Sequence, residues 1–256
     1  MSFQISTLNI EKSRHLDRVI PWLQSSQSDI VCLQEVSERD MTVLAQAFSS
    51  VEVLYQSMNQ DQFAPDSGFG ICILSRVPLT SSDSYTYFTA QNSNDAQFVE
   101  AETSRRMVLY GDFVKDQEVI RVATTHFTWT PDGLPNAEQY RDFASLLPIL
   151  HTLKECIFVG DLNAPRGGEI FTKFCEILQD NVPAHYMTSI DETYHRAGAL
   201  PYMVDGYFST PRYQVSNVSM QKGLSDHCAI TGTVALLSNP IDTPALLDES
   251  PEYGSI

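Results

Sequence analysis

Several stretches of this chain pass from apolar to polar where a strand would end. Asn9 and Glu11 follow QISTL, Glu35 closes DIVCLQE, and His126 closes VIRVATTH. Asp161 and Asn163 follow CIFVG, and Asp226 and His227 precede CAITGTV. A side chain delivered by the end of a strand is fixed against a rigid sheet, so several deliveries of this kind describe one rim. The carboxylates and amides are hard oxygen ligands suited to magnesium or manganese, and histidines beside them can move protons.

Each group also has a plainer explanation. Asp161 and Asn163 are two apart and would share a face in a regular strand, or a loop could converge them. One could activate water while the other donates to a phosphate oxygen. An Asx turn accounts for the same pair. Asp226 and His227 face opposite ways if extended, which calls for different partners. A working histidine needs a carboxylate to orient it, and Asp205, after PYMV, is the candidate. Glu35 is a ligand or half of a buried salt bridge. His15 and His151 lie in helix-like segments and read as structural or exposed. His195, near the MVD segment, is a substrate candidate. Arg106 enters the strand RMVLY and is a candidate to reach the cleft. Phe127 and Trp129 follow His126 directly; they could stack on a base or pack a lipid headgroup, or equally cap the core.

The chain has 256 residues, 43% hydrophobic, enough for one large domain with a substantial core. Its formal net charge is −16, the wrong sign for coating nucleic acid through phosphate contacts. The excess reads as an acidic solvated surface. Five cysteines form no CxxC pair and sit in apolar runs or a helix-like one, so they read as buried free thiols in a reducing, cytoplasmic setting. No signal peptide and no transmembrane segment is visible. Nothing in the chain specifies an oligomeric state.

The elements that must position these residues alternate at first: FQISTLNI a strand, HLDRVIPWLQSSQS a helix with a kink at Pro21, DIVCLQEV a buried strand, MTVLAQAFSS a helix. Then come VEVLYQSM, GFGICILS, RMVLYGDFV and EVIRVATTH as strands, the last two a hairpin with KDQ at its tip. The polar stretch between GICILS and RMVLY reads as part edge strand, part surface loop. NAEQYRDFASLLPILHTL and GGEIFTKFCEILQDN read as helices on either side of CIFVGDL, and MVDGYFST, YQVSNVSM and HCAITGTVAL as closing strands. Gly160 reads as the residue that allows a tight turn after CIFV. Two packed mixed sheets with outer helices satisfy this order. Residues 1–237 form the expected catalytic domain, and 238–256 an acidic, proline-containing tail.

Taken together, LNIE, LQEV, GICILSRVPL, TTHF, GDLNAP, MVDGYF and LSDHCAI occur in the order of the motifs of the endonuclease/exonuclease/phosphatase family. The chain resembles these metal-dependent phosphoesterases from residue 3 to about 236. The resemblance implies a DNase I-like four-layer α/β sandwich, with two central mixed β-sheets flanked by helices. It implies hydrolysis of a phosphate ester or phosphodiester by in-line attack of water. Asp161 would hold or deprotonate that water, and Asn163 would contact the scissile phosphate. His227, oriented by Asp205, would contact the phosphate and assist proton transfer, and His126 would stabilise the phosphate or leaving oxygen. Glu35 would bind magnesium (or manganese), with Asn9 and Asp226 in or near the coordination shell. Glu11 and Arg106 are secondary candidates. The segment after TTH is aromatic where nucleases of this kind carry small polar and basic residues, and Lys and Arg total only 16. The expected substrate is therefore a compact phosphate ester or a short or end-exposed nucleic acid, not long duplex DNA. An endo- or exonuclease or DNA-end-repair phosphodiesterase, a phosphoinositide- or sphingomyelin-type phosphoesterase, and an inactive binding module on the same scaffold are the alternatives.

Overall fold

A computed structural model describes residues 1–58, 68–89 and 105–237. The expected tail at 238–256 and the part of the polar stretch at 90–104 lie outside them. The first sheet has the order β11-β12-β1-β2-β4-β3, with β1 at Phe3–Asn9, β2 at Ile30–Ser37, β3 at Glu52–Ser57, β4 at Phe69–Ser75, β11 at Tyr213–Gln221 and β12 at Ala229–Leu236. The second has the order β5-β6-β7-β8-β10-β9, with β5 at Leu79–Thr89, β6 at Arg105–Lys115, β7 at Glu118–His126, β8 at Ile157–Asp161, β9 at Gln179–Asp180 and β10 at Asp205–Ser209. Each sheet has one parallel pair near its middle, β1–β2 in the first and β7–β8 in the second, and antiparallel pairing elsewhere.

Strand periodicity sorts the core into layers. In β1 and β2, Phe3, Ile5, Ile30 and Cys32 face the second sheet, meeting Ile120, Val122, Ile157 and Val159 from β7 and β8. The alternate residues Leu8, Val31 and Leu33 face the helices α1, Leu16–Ser25, and α2, Met41–Phe48. On the far side, Ala123 and Phe158 face α3, Ala137–Leu153, and α4, Glu169–Cys175. The result is the four-layer sandwich expected from the sequence. Fully buried Phe3 and Phe113 each contribute about 1.5–3 kcal/mol of apolar transfer to the central layer.

Local departures have local causes. The β6–β7 hairpin turns at Asp116 and Gln117, both left-handed, as a two-residue turn requires. Helix α4 stops at Cys175, short of Leu178, and the amide of Leu178 bonds the Phe174 carbonyl in a closing turn. Cys175 is exposed, correcting the expectation of a buried thiol there; Cys32, Cys72, Cys156 and Cys228 are buried and free. Gly160 lies within β8 and makes no turn. A Cβ there would stand 2.1 Å from the Thr125 carbonyl oxygen, so glycine is what allows β7 and β8 to close together just before Asp161.

Candidate active site

The two parallel pairs end at the same rim. Asn9 pairs with Gln34, which places Asn9 beside Glu35; His126 pairs with Asp161. Strand β10 runs antiparallel to β8 with Asp205 opposite Asp161. His126, Asp161 and Asp205 thus form a row across three strand ends. His227 enters just before β12, where it bridges to Ile190.

Glu35 is delivered by an irregularity. The β2–β4 register shifts by one residue between Leu33 and Val36, and Glu35 sits in this bulge with φ 55°. A non-glycine residue there carries strain of order 1–3 kcal/mol, held by surrounding contacts. The Lys12 amide bonds the Glu35 carbonyl at 3.0 Å, and the Ile10 amide that of Gln34 at 3.1 Å. Below the bulge, fully buried Gln34 donates to Thr7 Oγ1 at 3.1 Å and Thr124 Oγ1 at 3.0 Å, tying the two sheets together beneath the rim.

Asp161 is the hub. Its Oδ2 accepts from Asn9 Nδ2 at 3.0 Å, lies 3.5 Å from His126 Nε2 and 3.8 Å from His227 Nε2. Its Oδ1 accepts the Asn163 amide at 2.8 Å. Burial raises its pKa to about 7; the charge of Asp205 adds to the rise, while His227, the Asn163 amide and Asn9 oppose it. His227 Nδ1 is 2.7 Å from Asp205 Oδ2. Burial alone would lower the pKa of His227, but Asp205 and Asp161 outweigh it and hold the imidazole well above its usual range, so it carries a proton. His126 goes the other way: burial, then Arg106 and His227, hold it neutral. Its Nδ1 is buried without a partner among the described residues.

Asn163 is left-handed, φ 48°, and the Asx turn from Asp161 is present. The turn aims the residue instead of replacing a role for it: Asn163 Nδ2 donates to the Phe127 carbonyl at 3.0 Å, beside His126. That carbonyl also accepts from Arg106 Nη1 at 3.1 Å, and the His126 carbonyl accepts from the same nitrogen at 3.0 Å. Arg106 is buried; desolvation lowers its pKa, and Tyr87, Asp161, Asp142 and Glu35 oppose this.

The aromatic residues after His126 separate. Phe127 is fully enclosed, packed on Tyr87 and Phe174, so of the two readings its ring caps the core and does not meet substrate. Trp129 is exposed. Glu11 turns away from the hub to pair with Arg14 and His15, the latter at 2.9 Å. His195 is half-buried at the rim, close enough for Asp226 and His227 to act on its charge. Gln139, 1% exposed, donates from Nε2 to the Thr128 carbonyl at 2.7 Å and the Asn163 carbonyl at 3.1 Å. It was not anticipated: a glutamine inside an amphipathic helix gives no sequence signal of bonds to distant backbone.

The donor chemistry fits a divalent cation at the Glu35 edge. Burial raises the pKa of Glu35 and the hydrogen bond from Asn9 lowers it; the charge of Asp226 adds to the rise, so two carboxylates act on one another there, while His227 and Lys12 oppose it. The Glu35 side chain is 23% exposed, open to an ion from solvent. Asn9 turns its Nδ2 toward Glu35 Oε1 at 3.3 Å, and its oxygen accepts the Glu11 amide, which places it beside that edge as a bridge between Glu35 and Asp161. Asp161, Asp205 and His227 also bring ligand atoms within 4.8 Å of one another, but His227 and Asp205 are already hydrogen-bonded to each other.

Comparison with known proteins gives one family. Residues 6–239 match the model of the Endonuclease/Exonuclease/phosphatase family. No curated protein matches the chain significantly. Among solved structures, the catalytic domain of human nocturnin with bound sulfate superposes with a TM-score of 0.68 at 15% identity, over 92% of this chain and 95% of that one. The mannosyl-6-phosphatase of Bacteroides thetaiotaomicron gives 0.67 at 13%, over 92% of this chain and all of that one. An endonuclease/exonuclease/phosphatase of Bacteroides vulgatus gives 0.65 at 15%, over 93% and 100%. At these identities the likeness is one of fold.

Proposed function

Because the chain belongs to the endonuclease/exonuclease/phosphatase family, we propose that it hydrolyses a phosphate ester or phosphodiester by direct attack of water, with a divalent metal ion as cofactor. The observation that carries this reading is the hub at Asp161. A carboxyl raised to about 7 stands 3.8 Å from the outer nitrogen of a histidine whose inner nitrogen is held by Asp205. That gap is too long for a direct hydrogen bond, and a water or phosphate oxygen would fit between the two groups.

The roles follow from the protonation states. Asp161, poised near neutrality, accepts the proton of the attacking water. His227 stays cationic against Asp205 and donates from Nε2 to the phosphate, where it assists proton transfer. His126 is neutral, so it offers a dipole to the phosphate or leaving oxygen without competing for positive charge. Asn163, whose Nδ2 donates to the Phe127 carbonyl beside His126, has a second amide N–H for the phosphate. Glu35 and Asp226 would hold magnesium or manganese, which would neutralise phosphate charge and stabilise the leaving oxygen.

The net charge of −16 and the exposed Trp129 where a basic segment could stand support a compact ester or an exposed nucleic-acid end as substrate. Among the described residues no helix is long and apolar enough to cross a membrane, and the free buried cysteines support a cytoplasmic place of action. The test is hydrolysis of bis-p-nitrophenyl phosphate and p-nitrophenyl phosphate, followed by abasic DNA, blocked oligonucleotides, RNA, phosphoinositides and sphingomyelin. Chelator should abolish turnover, and either magnesium or manganese should restore it. Full activity after exhaustive metal removal overturns the metal requirement. Inertness toward every substrate leaves the inactive binding module as the reading.

A further inference from the structure

Strands β7 and β8 pair up to His126 and Asp161, and the Phe127 amide adds one more bond, to the Asp161 carbonyl at 2.8 Å. Beyond it the two chains diverge into the loops that carry Thr128 and Asn163. There Gln139 of α3 reaches in. Its Nε2 donates one N–H to Thr128 and the other to Asn163, both to backbone carbonyls, 11 and 24 residues away. The side-chain amide does what another rung of the ladder would do. Its own pose is fixed, because Asn136 caps α3 by accepting the Gln139 amide at 2.9 Å. Asp142, also 1% exposed, holds the same loop through Thr128 Oγ1 at 2.5 Å.

A leucine or methionine would fill this buried position without desolvating an amide, so the residue type answers to the two carbonyls it bonds. One belongs to Asn163, whose left-handed backbone depends on being held, and the other lies two residues past His126. We propose that Gln139 is a positioning residue that fixes the distance between the His126 and Asn163 loops, and so aims the Asn163 amide at the phosphate. The inference rests on the phosphoesterase reading above.

The test compares Gln139→Met and Gln139→Glu, which keep the shape and lose the double donor, alone and combined with Asn163→Ala. Each protein is assayed on bis-p-nitrophenyl phosphate well below its melting temperature. Misplacement of a phosphate-binding group predicts a fall in kcat of roughly 10- to 100-fold with little change in KM. In the Asn163→Ala background the same substitution should cost almost nothing, because the residue it acts through is gone. A purely structural role would lower kcat by the same factor in both backgrounds, and that result overturns the proposal. So does wild-type kcat in a folded Gln139 variant, or failure of both variants to fold. A wild-type protein without phosphoesterase activity would instead sink the functional reading, which separates the two failures.

Discussion

The second sheet ends at the site inside the protein, whereas the first ends partly at its surface. His126, Asp161 and Asp205, on β7, β8 and β10, are 5%, 1% and 1% exposed, and all three sit on regular strand ends. Glu35, on β2, is reached through a bulge and a left-handed backbone; burial raises its pKa too, but its side chain is 23% exposed. The difference matches two kinds of work. Moving a proton near neutral pH requires a shifted pKa, and burial supplies it: Asp161 goes up and His126 goes down. Binding an ion requires access and ligands free to coordinate, which the ladder geometry of a regular buried strand does not provide. One rim therefore carries a dry half and a wet half: the second sheet supplies His126, Asp161 and Asp205 to the dry half, joined there by buried Asn9 and His227 from the first, and the first sheet alone supplies the wet edge at Glu35.

The largest test of the comparison is to neutralise the dry half. Asp161→Asn and His227→Ala should each lower turnover by about 100-fold or more, the scale of a lost acid–base group. Asp161→Asn should leave the melting temperature unchanged or raise it. A carboxyl whose pKa rises on folding binds its proton more tightly in the native state, so native stability falls as pH climbs through about 7, and asparagine removes that loss. Near-normal turnover in purified Asp161→Asn refutes its role as the base.

Glu35→Gln acts on the wet half and should behave differently. Turnover at low metal should fall by roughly 10- to 100-fold and recover in part as magnesium or manganese is raised. A loss that no metal concentration relieves would erase the distinction between the halves. Two glycines sharpen it in stability. A Cβ would lie 2.1 Å from backbone oxygen at both Gly160 and Gly70, but Gly160 joins β7 to β8 beside Asp161, while Gly70 joins β4 to the edge strand β3. Gly160→Ala should cost at least about 1–3 kcal/mol in urea unfolding and take activity with it. Gly70 also pairs with Val36 beside the Glu35 bulge, so Gly70→Ala should lower stability and any loss of turnover should be relieved by added metal. The smallest effect concerns substrate. Binding to duplexes of increasing length should show a shallow salt slope, because few backbone phosphates are met; a slope of about six or more would reverse that reading.

Much of this was legible because strands advertise themselves. The runs QISTL, IVCLQ and CIFVG keep period two or stay apolar, and the polar residue that ends each lies at the rim where the sheets place it. Two packed mixed sheets with outer helices followed from the same pattern; the strand order within each sheet did not. What escaped notice has no local signature. Gln139 bonds the backbone carbonyls of Thr128 and Asn163, 11 and 24 residues away, and carbonyls have no sequence; Arg106 is legible as a cleft candidate, but not its bonds to the His126 and Phe127 carbonyls. The bulge at Glu35 is invisible because its register belongs to β4 as much as to β2. Phe127 is left open by sequence because adjacency to a histidine says nothing of which side of the sheet a ring takes; its burial in the helix-facing core decides for the cap.

Strand β12 lies between β11 and β1, pairing Val234 with Phe3, and it follows directly on His227. On a ribosome, therefore, the chain emerges with Glu35, His126, Asp161 and Asp205 long before the strand that completes the first sheet. Until then β1 has an open edge, and Asp205 has no imidazole to hold. The nascent polypeptide can gather Glu35 and the proposed base Asp161, but neither Asp226 nor His227. Closure across more than two hundred residues is also a slow, late event in folding. Synthesis itself thus withholds two of the proposed site residues until just before β12 is made.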